Sequence, residues 1–180
     1  MQSRAFRLIL VATAIGLFVG LAPASAQKRG DDANRASKNG GASAAIGDVD
    51  VEITYGRPKV KKRTIWGALV PYGEVWRTGA DEATTITFSD DVEVEGEALA
   101  AGTYSLFTVP SEGSWTVIFN KVANQWGAFR YNQSEDALRV SVEPATGEHV
   151  EELTFEVDGD SGTVLLSWEK VQVPISISAG

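Results

Sequence analysis

The chain has 180 residues, with 16 basic and 24 acidic side chains, one His, no Cys and a formal net charge of −8. The acidic balance excludes nucleic acid and anionic membrane surfaces as natural partners. The missing thiols exclude a disulfide framework and a cysteine nucleophile, and one histidine is too few for a multi-histidine zinc site, so no metal, cofactor or catalytic set is expected.

The first residues, MQSRAFRLILVATAIGLFVGLAPASAQ, carry Arg4 and Arg7, then an apolar run from Leu8 to Leu21, then the small residues Ala24-Ser25-Ala26. That is the pattern of a secretory signal peptide over 1–26, cleaved before Gln27, and it predicts an exported protein, periplasmic or extracellular. A membrane anchor needs about 20 uninterrupted apolar residues. This run is shorter, so no membrane span is expected once it is removed. Loss of Arg4 and Arg7 takes the charge from −8 to −10. Residues 27–47, QKRGDDANRASKNGGASAAIG, are small and charged without apolar period, and read as a disordered tether. The domain is then 48–180.

From Val49 the period is two. VDVEITY places Val49, Val51, Ile53 and Tyr55 on one face, and ATTITFS does the same for Thr84, Ile86 and Phe88. VEVEGEALAAGTYSLFTVP reads as a short strand, a turn at Gly96 and a second strand from Gly102 to Val109. SWTVIFN alternates Trp115, Val117 and Phe119. ALRVSVE, ELTFEVD, GTVLLSWE and VQVPISIS continue the pattern, and Pro174 in the last marks an edge strand or a bulge. Turn signals fall at Pro110 to Gly113, Pro144 to Gly147 and Asp158 to Gly162. Roughly eight or nine short strands at this spacing predict a single all-β domain, an antiparallel β-sandwich or jelly roll.

Two stretches break the alternation, Gly56 to Ala83 and Lys121 to Asn132, and connections this long usually have a purpose. The first opens with a cationic run, Arg57, Lys59, Lys61, Lys62 and Arg63. Between them, these stretches and their flanks hold Tyr55, Arg57, Arg63, Trp66, Tyr72, Trp76, Arg77, Trp126, Arg130 and Tyr131. Trp, Tyr and Arg are the residue types that dominate binding hot spots. The expected function is a non-catalytic binding module for an anionic or sugar-like ligand, with its site between the Arg57 to Arg77 segment and the Gln125 to Tyr131 loop. The tryptophans also fit as core plugs. Two other readings stand beside it: a structural or assembly protein of the cell envelope, with an envelope protein as partner, and a hydrolase using Glu74, Asp81 or Glu82. Arg77 is either the anion-holding group or the buried partner of Asp81 or Glu82. His149 reads as a solvated turn residue, and DGDSG at Asp158 to Gly162 as a hairpin turn with a weaker likeness to a calcium loop.

The pieces YGRPKVKKRTIWG (Tyr55 to Gly67), LVPYGEVWRTGADEATTI (Leu69 to Ile86), GTYSLFTVP, WTVIFN and QWG (Gln125 to Gly127) resemble a bacterial family of unknown function, DUF2911. The resemblance spans nearly the whole expected domain. It implies an exported protein and supplies no catalytic residues. This sequence departs from the family pattern at Lys62, where Gly is usual, and at Asp81, where Asn is common.

Overall fold

The computed structural model describes residues 29–180; the expected signal peptide and the first two residues of the expected tether lie outside them. Two antiparallel sheets face each other. One has the order β1 (Lys38–Ile46), β2 (Val49–Arg57), β3 (Thr84–Phe88), β6 (Gly102–Val109), β7 (Trp115–Asn120), β8 (Asp136–Val142). The other runs β5 (Glu97–Leu99), β4 (Val92–Val94), β10 (Thr163–Ala179), β9 (Ala145–Asp158). The fold is an all-β sandwich.

The alternating residues close the sandwich as their period requires. Val49, Val51, Ile53 and Tyr55 of β2 are buried, and so are Ile86 and Phe88 of β3 and Trp115, Val117 and Phe119 of β7. They pack against Leu153 and Phe155 of β9 and Val164, Leu166 and Trp168 of β10. Burying a large apolar side chain is worth about 1.5–3 kcal/mol, so these layers hold the domain without disulfides. The Tyr55 hydroxyl accepts the Phe155 N–H across the sandwich at 3.0 Å, with the two rings edge to face at 4.9 Å.

The tether expected over 27–47 is corrected by β1, which pairs along its whole length with β2, from Lys38↔Arg57 to Ile46↔Val49. Its small residues follow from close packing. A Cβ on Gly40 would meet the Tyr55 ring at 2.7 Å and the Arg57 stem at 2.8 Å, so the strand lies under side chains of its neighbour. A sequence that looks too poor in bulk to fold is one whose bulk is supplied by β2.

While Val60, Ile65, Val70 and Trp76 of the first irregular connection join the main core, other parts of the two connections cover the outer face of the six-stranded sheet. There Phe107 and Ile118, the residues of β6 and β7 that point away from the sandwich, are buried with Ala83 and flanked by Val75, Ala128 and Tyr131.

GTVLLSWE and VQVPISIS form one strand, β10, rather than two. Its register against β9 shifts between Ser167 and Glu169 and again between Glu169 and Val171, with Glu169 at φ 58. Even-numbered Val164, Leu166 and Trp168 are buried before this bulge, odd-numbered Val173, Ile175 and Ile177 after it. Pro174 falls past the last β9 partner, Gln172, and before the first β4 partner, Ile177. No ladder N–H is needed there. The turn expected over Pro144 to Gly147 shrinks to Glu143-Pro144 because β9 begins at Ala145, and His149 lies on that strand, half-exposed, with Nε2 3.4 Å from Glu151. At the β9–β10 turn the Asp158 carboxylate accepts from Ser161 Oγ at 2.7 Å and from the Asp160 and Ser161 N–H groups. It caps its own hairpin.

Candidate functional site

The turn from Trp76 to Thr84 is fixed to the sheet by backbone. The Trp76 N–H donates to the Thr108 carbonyl at 2.8 Å and the Thr108 N–H returns the bond at 3.0 Å. The Thr84 hydroxyl donates to the Thr78 carbonyl at 2.7 Å, and Gly127 N–H donates to the Asp81 carbonyl at 3.0 Å. Thr78 and Asp81 are left-handed at φ 53 and 63. Asp and Asn tolerate that conformation better than other side chains, which accounts for either residue at position 81 without invoking its charge. Gly56 of β2 lies directly beneath, where a Cβ would run into the Ala80 carbonyl.

This turn carries two buried charges. The Glu82 carboxylate, 6% exposed, is clamped by two arginines from the segment that precedes β1. Arg35 forks across it, Nη1 reaching Oε2 at 2.7 Å and Nη2 bonding Oε1, while the same Nη1 reaches Asp81 Oδ2 at 3.2 Å. Arg29 lies in a cage of carbonyls, donating to Ala83 at 3.1 Å, Ala80 at 3.0 Å and Glu82 at 3.3 Å, with Nε on Asn39 Oδ1 at 3.0 Å. Its Nη2 is 3.4 Å from Glu82 Oε2. Burial pushes the Glu82 carboxyl up, but the Arg35 hydrogen bonds, backbone N–H groups including that of Gly30, and the Arg29 charge together hold it at about 2.

Arg77 is the second charge, and its treatment is the opposite. Among the described residues its guanidinium makes no hydrogen bond or ion pair, and its Nε is fully buried without a partner. Burial lowers its pKa, against the pull of the Asp81 charge, yet a guanidinium stays charged in proteins. Arg77 lines a cavity of about 320 Å³ together with Ser37, Pro58, Arg63, Leu69, Val70, Trp76, Gly79, Ala80, Asp81 and Trp168. Trp76 and Trp168 form its aromatic wall, stacked with centroids 5.8 Å apart and planes 16° apart. Trp66 stands edge-on behind both and behind Trp115. The indole N–H groups of Trp66 and Trp168 are also buried without partners.

A family model described as a protein of unknown function, DUF2911, matches residues 37–177. The chain belongs to DUF2911. Among curated proteins and among solved structures, nothing matches it. The DUF2911 match takes in every lining residue of the cavity but begins after Arg29 and Arg35.

Of the candidate residues of this DUF2911 domain, the structure brings Arg63, Trp76 and Arg77 to one place. Arg63 is anchored by bonds from its guanidinium to the carbonyls of Val60 and Lys59. Trp66 is partly buried and packs against the core, and Tyr55 is core of the sandwich. Arg57 is paired with Glu152, which it shares with Lys59. Tyr72 is exposed and lies over Gly67. Trp126 is 59% exposed and Arg130 is exposed too, while Tyr131 packs on Phe107 and donates to Asp136 Oδ2 at 2.6 Å.

The site expected between the Arg57 to Arg77 segment and the Gln125 to Tyr131 loop is therefore not where the cavity lies. That loop flanks the turn from the other side, through the Glu82↔Trp126 bridge, because Tyr131 and Ala128 are needed over Phe107 and Ile118. The tight turn after Lys59 forms in spite of Lys62, with Lys61 and Lys62 both left-handed. Sequence reasoning missed Trp168, Ser37, Arg29 and Arg35. Trp168 was legible, since it shares parity with Val164 and Leu166.

Proposed function

We propose that this DUF2911 domain is an exported binding module whose cavity holds a small anion-bearing ligand, with Arg77 on the anion and Trp76 and Trp168 against its flat or apolar part. One observation carries the reading. Arg77 is a cation brought half out of water, with no partner among the described residues, in the wall of a cavity. An unpaired buried charge is costly unless something completes it, and a carboxylate, sulfate or phosphate group fits a guanidinium fork. The aromatic wall suits a sugar ring or another flat surface. Export rests on the leader pattern of residues 1–26. A hydrolytic role for Glu82 or Glu74 lacks support: Glu82 is held ionised between two arginines and has no proton to give at neutral pH, and Glu74 is exposed outside the cavity.

The test is calorimetry and tryptophan fluorescence against sulfate, phosphate, acetate and glucuronate, on the wild-type domain and on Arg77→Met. At least one anion saturates the wild type, and Arg77→Met weakens it by roughly tenfold or more, the worth of a charge-assisted hydrogen bond. Silence across the panel, or equal binding by both proteins, ends the proposal.

A further inference from the structure

Arg77 has an obvious internal partner that it does not use. Asp81 lines the same cavity, and its carboxylate is more than one-third exposed there. Its charge acts on Arg77 through space, but no ion pair joins the two. The carboxylate is instead turned to Arg35, whose Nη1 holds Oδ2 at 3.2 Å. Arg35 itself cannot follow Asp81 elsewhere. Its fork is locked on Glu82, its Nε donates to the Gly30 carbonyl at 3.2 Å, and its side chain is 11% exposed. Two cations face one carboxylate, and the immobile one holds it.

We infer that Arg35 is a positioning residue for the ligand site: by holding Asp81, it keeps Arg77 unpaired and available to an anion. The inference rests on the anion-site reading above. Arg35 acts in two ways with the same sign. It removes the internal competitor for the Arg77 fork, and it offsets the negative charge an incoming anion would meet at the cavity wall. The segment ahead of β1 is thereby part of the site, although Arg35 does not line the cavity and precedes the residues matched by the family model. Without Arg35, Asp81 is free to close on Arg77, and the site fills itself.

A double-mutant cycle separates this from a loss of fold. The probe is whichever of sulfate, phosphate, acetate or glucuronate binds the wild-type domain most tightly, titrated by calorimetry. Arg35→Gln weakens that anion by roughly tenfold, within the range found for coupled neighbours. The same change made on an Asp81→Asn chain costs less than about twofold, because no carboxylate is left to compete. Arg35→Lys keeps a cation beside Glu82 but has no fork to reach Asp81 as well, and gives the same ordering in a less perturbed protein. If the wild type binds and Arg35→Gln binds equally well, or the loss is as large on the Asp81→Asn chain as on the wild type, the positioning role is wrong and the anion site stands. If the wild type binds none of the four, both fall together.

Discussion

Glu82 and Arg77 share one turn, each a charge taken out of water, and the protein treats them in opposite ways. Glu82 has two arginines and a backbone N–H; Arg77 has nothing within ion-pair distance among the described residues. A saturated charge is a structural joint, since its removal strands its partners. An unsaturated one holds no partner in place, and stability alone gives no reason to keep it. Burial by itself therefore does not tell the two charges apart. Saturation does.

The contrast breaks most visibly at Glu82. Glu82→Gln leaves Arg29 and Arg35 without their carboxylate and should cost about 3–5 kcal/mol in urea denaturation; a loss under about 1 kcal/mol would make the clamp ornamental. Acid probes the same joint. The folded Glu82 carboxyl lies near 2, below the ordinary carboxylate range. Its contribution is fully present above the unfolded value of about 4.3 and lost as pH falls through the folded one. The stability gap between wild type and Glu82→Gln should accordingly narrow as pH is lowered from about 5 to about 2, and a constant gap would refute the assignment. Tyr55→Phe, which removes the hydroxyl that accepts the Phe155 N–H, should lower stability by about 1–2 kcal/mol with no change in anion binding. Arg77→Met should leave the urea midpoint unchanged or raise stability by up to about 1 kcal/mol, while weakening anion binding roughly tenfold or more; a large loss of stability would return Arg77 to the structural side. Trp126→Ala should do least, within about 0.5 kcal/mol on stability and nothing on binding, since its ring is largely in solvent.

Most of the sandwich was legible because period two is a local signal. Val49 to Tyr55 and Trp115 to Phe119 declare their buried face residue by residue. β1 was not, because what makes Gly40 suitable is the side chains of Tyr55 and Arg57 of β2 lying beside it. Among the candidate site residues, the sequence pointed to Arg63, Trp76 and Arg77, which line one cavity, and left open whether Arg77 pairs with Asp81 or Glu82. Asp81 and Glu82 are its neighbours along the chain. The arginines that claim them come from the far side of β1 and β2, a separation of 46 residues or more. Tyr131 shows that an aromatic residue in an irregular loop can serve to cover a sheet face, whereas Trp126 in the same loop is largely exposed.

The bulge in β10 has a consequence for how this strand tolerates change in length. It lets Trp168 reach the cavity while Val173, Ile175 and Ile177 reach the sandwich interior, although the two sets differ in parity. Substitutions among the residues between them should be accepted, but a single deletion there only at the expense of the bulge. Losing Lys170 alone would give Trp168 and the three buried aliphatic residues one parity, so all stay inward only if the bulge at Glu169 is lost with it; with the bulge kept, the aliphatic residues turn to water or Trp168 leaves the stack with Trp76. The bulge and the spacing between the cavity wall and the hydrophobic interior are thus inherited together, as a count of residues largely independent of which residues they are.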